Sequence, residues 1–333
     1  MIRYPHFSRR KFLNIFKFLF IFLLASCTRE SKNIVIGLQK SFLSKSFKNL
    51  LPNIWKQENI DFNNFYNPKN FSNYKRLDYL LINDGWINKL EFDDFKDLDE
   101  ELFLNLNDKS KNFLGSVDKK IRNKLFPIGV IPYAVVIKNN SAIENLAKQS
   151  WNFLLSKDLK GKIILPDSPR VILSISEKID EKMSLNKLIE QQNIYDDKNA
   201  LDWLLNTQAV VAVMPYTFCQ EILKIDSRLS LVFPSQGVPL IWQFILCKIN
   251  SNEKPLIDWI YSLDNNITQK KLIKEGWFIP IENKNLKLED VSNKMIRSDF
   301  PSYECWQNSW SLPPLNKSEK TKLELIWRNL LAP

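Results

Sequence analysis

The chain has 333 residues, 47 of them Lys or Arg and 37 Asp or Glu, for a formal charge of +10. With 44% hydrophobic and 25% charged residues it has the balance of a globular protein of about two domains, not of a disordered tail. The seven glycines are scattered, the nearest two being Gly115 and Gly129, which excludes a phosphate-cradling P-loop and a dinucleotide GxGxxG. His6 is the one histidine, which argues against Ser–His or Cys–His catalysis and His-ligated metal.

The N-terminus reads as an export signal, residues 1–26. Arg3, Arg9, Arg10, Lys11 and Lys17 precede an apolar run at 18–25 and then small residues before Cys27. The uncharged run is too short to span a bilayer, so an uncleaved anchor is the weaker reading. Leu24-Ala25-Ser26-Cys27 resembles the bacterial lipobox, which implies acylation of Cys27, and Ser8-Arg9-Arg10-Lys11-Phe12-Leu13 resembles a twin-arginine signal. Half of the net charge lies in this segment, so basicity does not point to nucleic acid. Of the other cysteines, Cys219, Cys247 and Cys305, two could pair in an oxidising compartment, or Cys219 and Cys247, both in apolar surroundings, could be buried free thiols.

Beyond Cys27, residues 33–38 (NIVIGL) predict a strand, and apolar positions at Phe47, Leu50, Leu51, Ile54 and Trp55 predict a helix over 44–57. A buried strand at 79–82 runs into the turn Asn83-Asp84-Gly85 and a helix start near Trp86. Residues 91–124 are polar and loop-like, with short helical pieces. Residues 128–137 (IGVIPYAVVI) predict a strand pair or one bent strand interrupted by Pro132. Strands follow at 162–165, 209–214, 231–233 and 240–248, and helices at 151–155, 255–263, 287–296 and 318–330. Buried strands separated by helical stretches predict an α/β architecture with mostly parallel sheets.

Residues 151–173 (WNFLLSKDLKGKIILPDSPRVIL) resemble the spermidine/putrescine (polyamine) branch of bacterial extracellular solute-binding proteins of ABC importers. Trp151, Lys160, Gly161, Asp167 and Arg170 match the family's pattern. Segments 77–90, 209–219, 234–247 and 276–280 agree in order. The resemblance implies a two-lobed periplasmic-binding-protein fold (type II-like), with hinge crossovers and a central ligand cleft. It places lobe 1 at 33–130 and 247–300, lobe 2 at 131–246, and a C-terminal helical segment at 301–333. It also implies a lipid-anchored, monomeric, periplasmic protein. The protein would hand a small solute to a membrane permease without chemistry, and would use no cofactor, metal or nucleic acid.

The candidate ligand residues are Asn83, Asp84, Trp86, Asp167, Ser168, Arg170, Tyr216, Trp242 and Gln243. Trp86 either stacks on ligand or packs; Asp84 takes an amine or caps the next helix. Asp167 and Arg170 form an ion pair or contact ligand, and Arg170 could grip an anion instead. Tyr216 follows a buried strand, and of Trp242 and Gln243 only one can face the cleft. Where the family carries acids, this chain has Ser168, Val171 and Gln243. That leaves a neutral or anionic ligand as the alternative to a polyamine-like one, because a buried ammonium needs carboxylates. An exported carboxylate-dependent hydrolase and a structural envelope lipoprotein are the readings from other classes.

Overall fold

Among the described residues, ten strands carry the architecture: β1 (Val35–Gln39), β2 (Lys56–Ile60), β3 (Tyr79–Asn83), β4 (Phe126–Lys138), β5 (Ile163–Leu165), β6 (Gln192–Tyr195), β7 (Val211–Pro215), β8 (Leu229–Val232), β9 (Pro239–Cys247) and β10 (Trp310–Ser311). The computed structural model describes residues 33–39, 45–62, 68–281 and 301–331. The export signal, Cys27 and the helix expected at 287–296 lie outside them. The strand order is β2-β1-β3-β9-β4-β7-β5-β6, with β10 beside β9 and β8 beside β4.

Two long strands join the halves of this mixed α/β fold. β4 is buried along nearly all of its 13 residues. Up to Pro132 it pairs with β9, and from Tyr133 onward with β7 and β8. Proline has no N–H for a ladder, so Pro132 sits where the strand changes partners. The residues 128–137 are thus one strand shared by both halves, not a pair. A register shift lies between Pro127 and Gly129, where a Cβ on Gly129 would meet the Trp277 ring at 2.5 Å.

The expected parallel pairing is found in five of the nine strand pairs, β9 with β10 among them, and the other four are antiparallel. Pairing is parallel within each half, β1 with β2 and β3, β5 with β6 and β7. The crossing strands run the other way, β9 antiparallel to β3 and β4, and β4 antiparallel to β7 and β8. Burial on both faces makes a strand continuously apolar whatever its direction, so β3 and β7 could not reveal their neighbours' orientation.

The helix expected over 44–57 is corrected: a helix at Lys45–Lys48 gives way to turns and then to β2. Phe47, Leu51 and Trp55 are buried as helical spacing suggested. β2, however, is a polar edge strand that buries only its last residue, Ile60. The remaining helices pack outside the sheets, and Lys317–Leu331 closes the described chain. Trp306 stacks on Phe278, Trp310 meets Trp151 edge-on and Trp327 meets Tyr195. Cys219, Cys247 and Cys305 are all buried free thiols, and burial pushes Cys247 and Cys305 up to about 12.

Candidate functional site

A cavity of about 320 Å³ opens between the two halves of the sheet. From the first half come Gln39, Asp61, Asn83, Asp84 and Trp86, and from the second Asp167, Ser168, Arg170, Asp197 and Phe218. Tyr133 and Ile241 of the crossing strands and Leu312 of the C-terminal segment complete the walls. Most of these residues follow the carboxyl end of a strand, where backbone and side chains leave the sheet free to meet a ligand.

β3 ends at Asn83, whose backbone N–H donates to Gln39 Oε1 at 3.1 Å and whose side chain accepts from Gly85 N at 3.0 Å. Asn83, not Asp84, therefore caps the 3-10 turn Asp84–Lys89. The Asp84 carboxylate is left to accept Arg170 Nη2 at 2.9 Å. Its side chain is 3% exposed, that of Arg170 17%. Burial pushes the Asp84 carboxyl up to about 6, while Arg170 and the Trp242 backbone N–H hold it down. Arg170 Nη1 also donates to the Pro313 carbonyl at 3.2 Å. Arg170 thus pairs across the cleft with Asp84, and not with Asp167 in its own turn.

On the other side, β5 and β6 run parallel with Leu165 opposite Tyr195. Two residues further along each chain stand Asp167 and Asp197, side by side within hydrogen-bonding reach. The Tyr133 hydroxyl donates to Asp197 Oδ2 at 3.4 Å. Burial and the Asp167 charge raise Asp197 well above the usual carboxylate range, and burial beside these acids raises Tyr133. The apolar wall is Trp86 stacked on Phe62 with centroids 5.4 Å apart.

Asn83, Asp84, Trp86, Asp167, Ser168 and Arg170 are thus brought together around one cavity. Tyr216, Trp242 and Gln243 are not among its walls. Tyr216 is buried against Phe233 and lies where a Cβ on Gly276 would meet its ring at 2.6 Å. Trp242 faces Phe113 and donates to Ser311 Oγ at 2.8 Å. Gln243 is fully buried under the crossing strands, between Asn83 and Gly129. Sequence reasoning missed Asp61, Tyr133 and Asp197. Asp197 had a readable signal, an acid just past a short strand, but β6 was too polar to be seen as a strand.

The lining holds four carboxylates, Asp61, Asp84, Asp167 and Asp197, against two cations, Arg170 and Lys198. Among the described residues no three His, Cys, Asp or Glu side chains stand close enough to hold a metal ion. The excess of carboxylates gives the cavity a lining that favours positive charge.

No protein-family model and no curated protein matches this chain. Solved structures do. A spermidine/putrescine ABC transporter substrate-binding protein from Streptococcus pneumoniae is 14% identical with a TM-score of 0.64, the match covering 89% of this chain and 98% of that one. A ferric binding protein from Campylobacter jejuni is 14% identical with a TM-score of 0.61, over 90% and 99%. A lipoprotein of Treponema pallidum is 10% identical with a TM-score of 0.61, over 89% and 98%. The fold is that of the two-lobed periplasmic binding proteins.

Proposed function

We propose that this protein is the solute-binding component of an ABC importer, exported, anchored in the membrane through an acylated Cys27, and taking a small organic amine of the polyamine type. Its lobes are 33–130 with 247–300 and 131–246, and it delivers the solute to a membrane permease without making or breaking covalent bonds. The observation that carries this reading is the excess of carboxylates around a cavity between two sheet halves, with the Phe62–Trp86 stack as its apolar wall. The acids missing at Ser168, Val171 and Gln243 are offset by Asp61 and Asp197, which arrive from other elements. An anionic solute is disfavoured, because the guanidinium that would grip it, Arg170, is already paired with Asp84.

Calorimetric titration with putrescine, spermidine and n-butylamine tests the reading. Heat from at least one amine, weakening with salt, is expected; heat only from neutral or anionic solutes would defeat it. Trp86→Ala should weaken amine binding roughly threefold to thirtyfold, the range for a cation over an aromatic face. Unchanged affinity would return Trp86 to a packing role with Phe62. For the anchor, Cys27→Ala should move the protein from the membrane fraction to the soluble one. Retention in the membrane would sink the lipidation reading.

A further inference from the structure

A second cavity, of about 650 Å³, adjoins the first, and Arg170 and Leu312 line both. Much of its surface is apolar: Ile87, Leu90 and Phe92 follow β3, and Val117 and Ile121 stand about the short helix Lys119–Arg122. Residues 312–315 (LPPL) form a further wall. Its two consecutive prolines have no N–H to offer. The carbonyls of Pro313 and Leu315 are already taken, by Arg170 Nη1 at 3.2 Å and Asn88 Nδ2 at 2.8 Å.

The polar side chains of this cavity are engaged locally as well. Ser116 Oγ donates to the Phe113 carbonyl, Asp118 Oδ1 accepts from Lys120 N, and Asn316 and Glu319 each accept from the other's backbone N–H. What the second cavity offers a ligand is therefore mainly apolar contact, whereas the first holds four carboxylates. At the junction the Arg170 guanidinium is fixed between Asp84 Oδ2 and the Pro313 carbonyl. Leu312 has no polar side-chain atom to tie it, so it is the part of the junction that can turn aside.

We propose, resting on the amine reading above and narrowing it, that the solute is an amine with an apolar tail. Its ammonium end meets the carboxylates of the first cavity, and its hydrocarbon end passes Leu312 into the second. The shared walls select this occupant over a separate molecule. A free ligand would find few unengaged polar groups to orient it, while a tail tethered to a held ammonium needs only apolar surface. A second ammonium at the far end would lose hydration along that surface without a partner.

The test is calorimetry of n-butylamine, n-hexylamine and n-octylamine with the full-length protein in detergent, against protein-free detergent as the blank. Full burial of a methylene strengthens binding by about fourfold, so n-octylamine should bind at least about tenfold more tightly than n-butylamine. The diamine of equal length, 1,8-diaminooctane, should bind at least about fivefold more weakly than n-octylamine. Ile121→Asp sets a charge at a half-buried position of the second cavity and should cut the octylamine-to-butylamine affinity ratio about fivefold or more. Equal affinity for the three monoamines, or 1,8-diaminooctane matching n-octylamine, would overturn the tail compartment while leaving the amine reading intact. So would an Ile121→Asp protein that keeps the parent's ratio. Absence of heat from every amine, with heat from another solute class, would remove the amine reading itself. The chain-length series on the unmodified protein keeps the proposal testable even where the variant folds poorly.

Discussion

Replacing Arg170 by Met should destabilise the protein by about 3–5 kcal/mol at pH 8, the usual cost of stranding a buried charge. At pH 5 the loss should be about 1 kcal/mol, that of a hydrogen bond. The partner left behind is the Asp84 carboxylate, whose side chain is 3% exposed. Even with Arg170 in place, burial pushes that carboxyl up to about 6, above its ordinary 3.8. The folded protein therefore holds the Asp84 proton more tightly than the unfolded chain does. The group's contribution to stability is fully present below the unfolded value and is lost as pH rises through about 6, a change of about 3 kcal/mol at roughly 1.4 kcal/mol per unit. Without the guanidinium the carboxyl moves higher still, so the variant suffers most at alkaline pH. At pH 5 the carboxyl is mostly protonated and only the ion pair's directional bond is missed. At roughly 2 °C per kcal/mol for a chain of this size, thermal melts at pH 8 should fall by about 6–10 °C. Asp84→Asn combined with Arg170→Met should recover most of the loss, since no buried charge is then unpaired. Equal losses at both pH values would show that the pair acts by packing alone. Because Asp84 follows β3 and Arg170 belongs to the helix Pro169–Ser176, the pair spans the two halves, and any hinge opening must part it.

What the sequence made legible was decided by burial. β3, β7 and β9 are buried throughout because both faces are covered, apolar but for Asn83 and Gln243, and each is found where its run of hydrophobic residues lies. β2 and β6 are half-exposed and polar, so their alternation is lost among Lys, Gln and Asn. The candidate site followed the same division. Asp84 and Asp167 each close a readable strand, and both reach the cavity. Asp197 closes the unreadable β6, although its place beside Asp167 follows once Leu165 is known to face Tyr195. Trp242 and Gln243 show the opposite failure. Their strand contributes Leu240 and Ile241 to the cavity, but Trp242 is covered by Phe113 and Gln243 is fully buried, so neither side chain lines it. Strand periodicity says which residues share a face, not which face a ligand will find.

Gly237→Ala should cost about 4 kcal/mol, near the upper end for a single substitution, and weaken solute binding as well. Gly237 has φ of +89°, a left-handed conformation that costs a side-chain-bearing residue about 1–2 kcal/mol. The larger part comes from its neighbours, since a Cβ there would lie 2.3 Å from the Asn308 carbonyl carbon and oxygen and 2.4 Å from Ser309 N. These are backbone atoms, which cannot swing aside as a side chain can. The segment they belong to would have to lift off the crossing. With it would go the bonds from Val238 N to Ser309 Oγ at 3.1 Å and from Trp310 N to the Val238 carbonyl at 3.1 Å. The pairing of β10 with β9 would be lost too. Three residues further on, Leu312 is a wall of the cavity and Pro313 accepts from Arg170, so the disturbance reaches the cleft through a continuous stretch of chain. Gly115→Ala is the matched control. Gly115 ends the helix Asp108–Gly115 with nothing within 4 Å of a new Cβ, and Ala there should be neutral or stabilise by up to about 1 kcal/mol. A thermal melt in which Gly237→Ala and Gly115→Ala coincide would show that the C-terminal segment is free to move off the crossing. Coupling from that segment to the solute would then have to be abandoned.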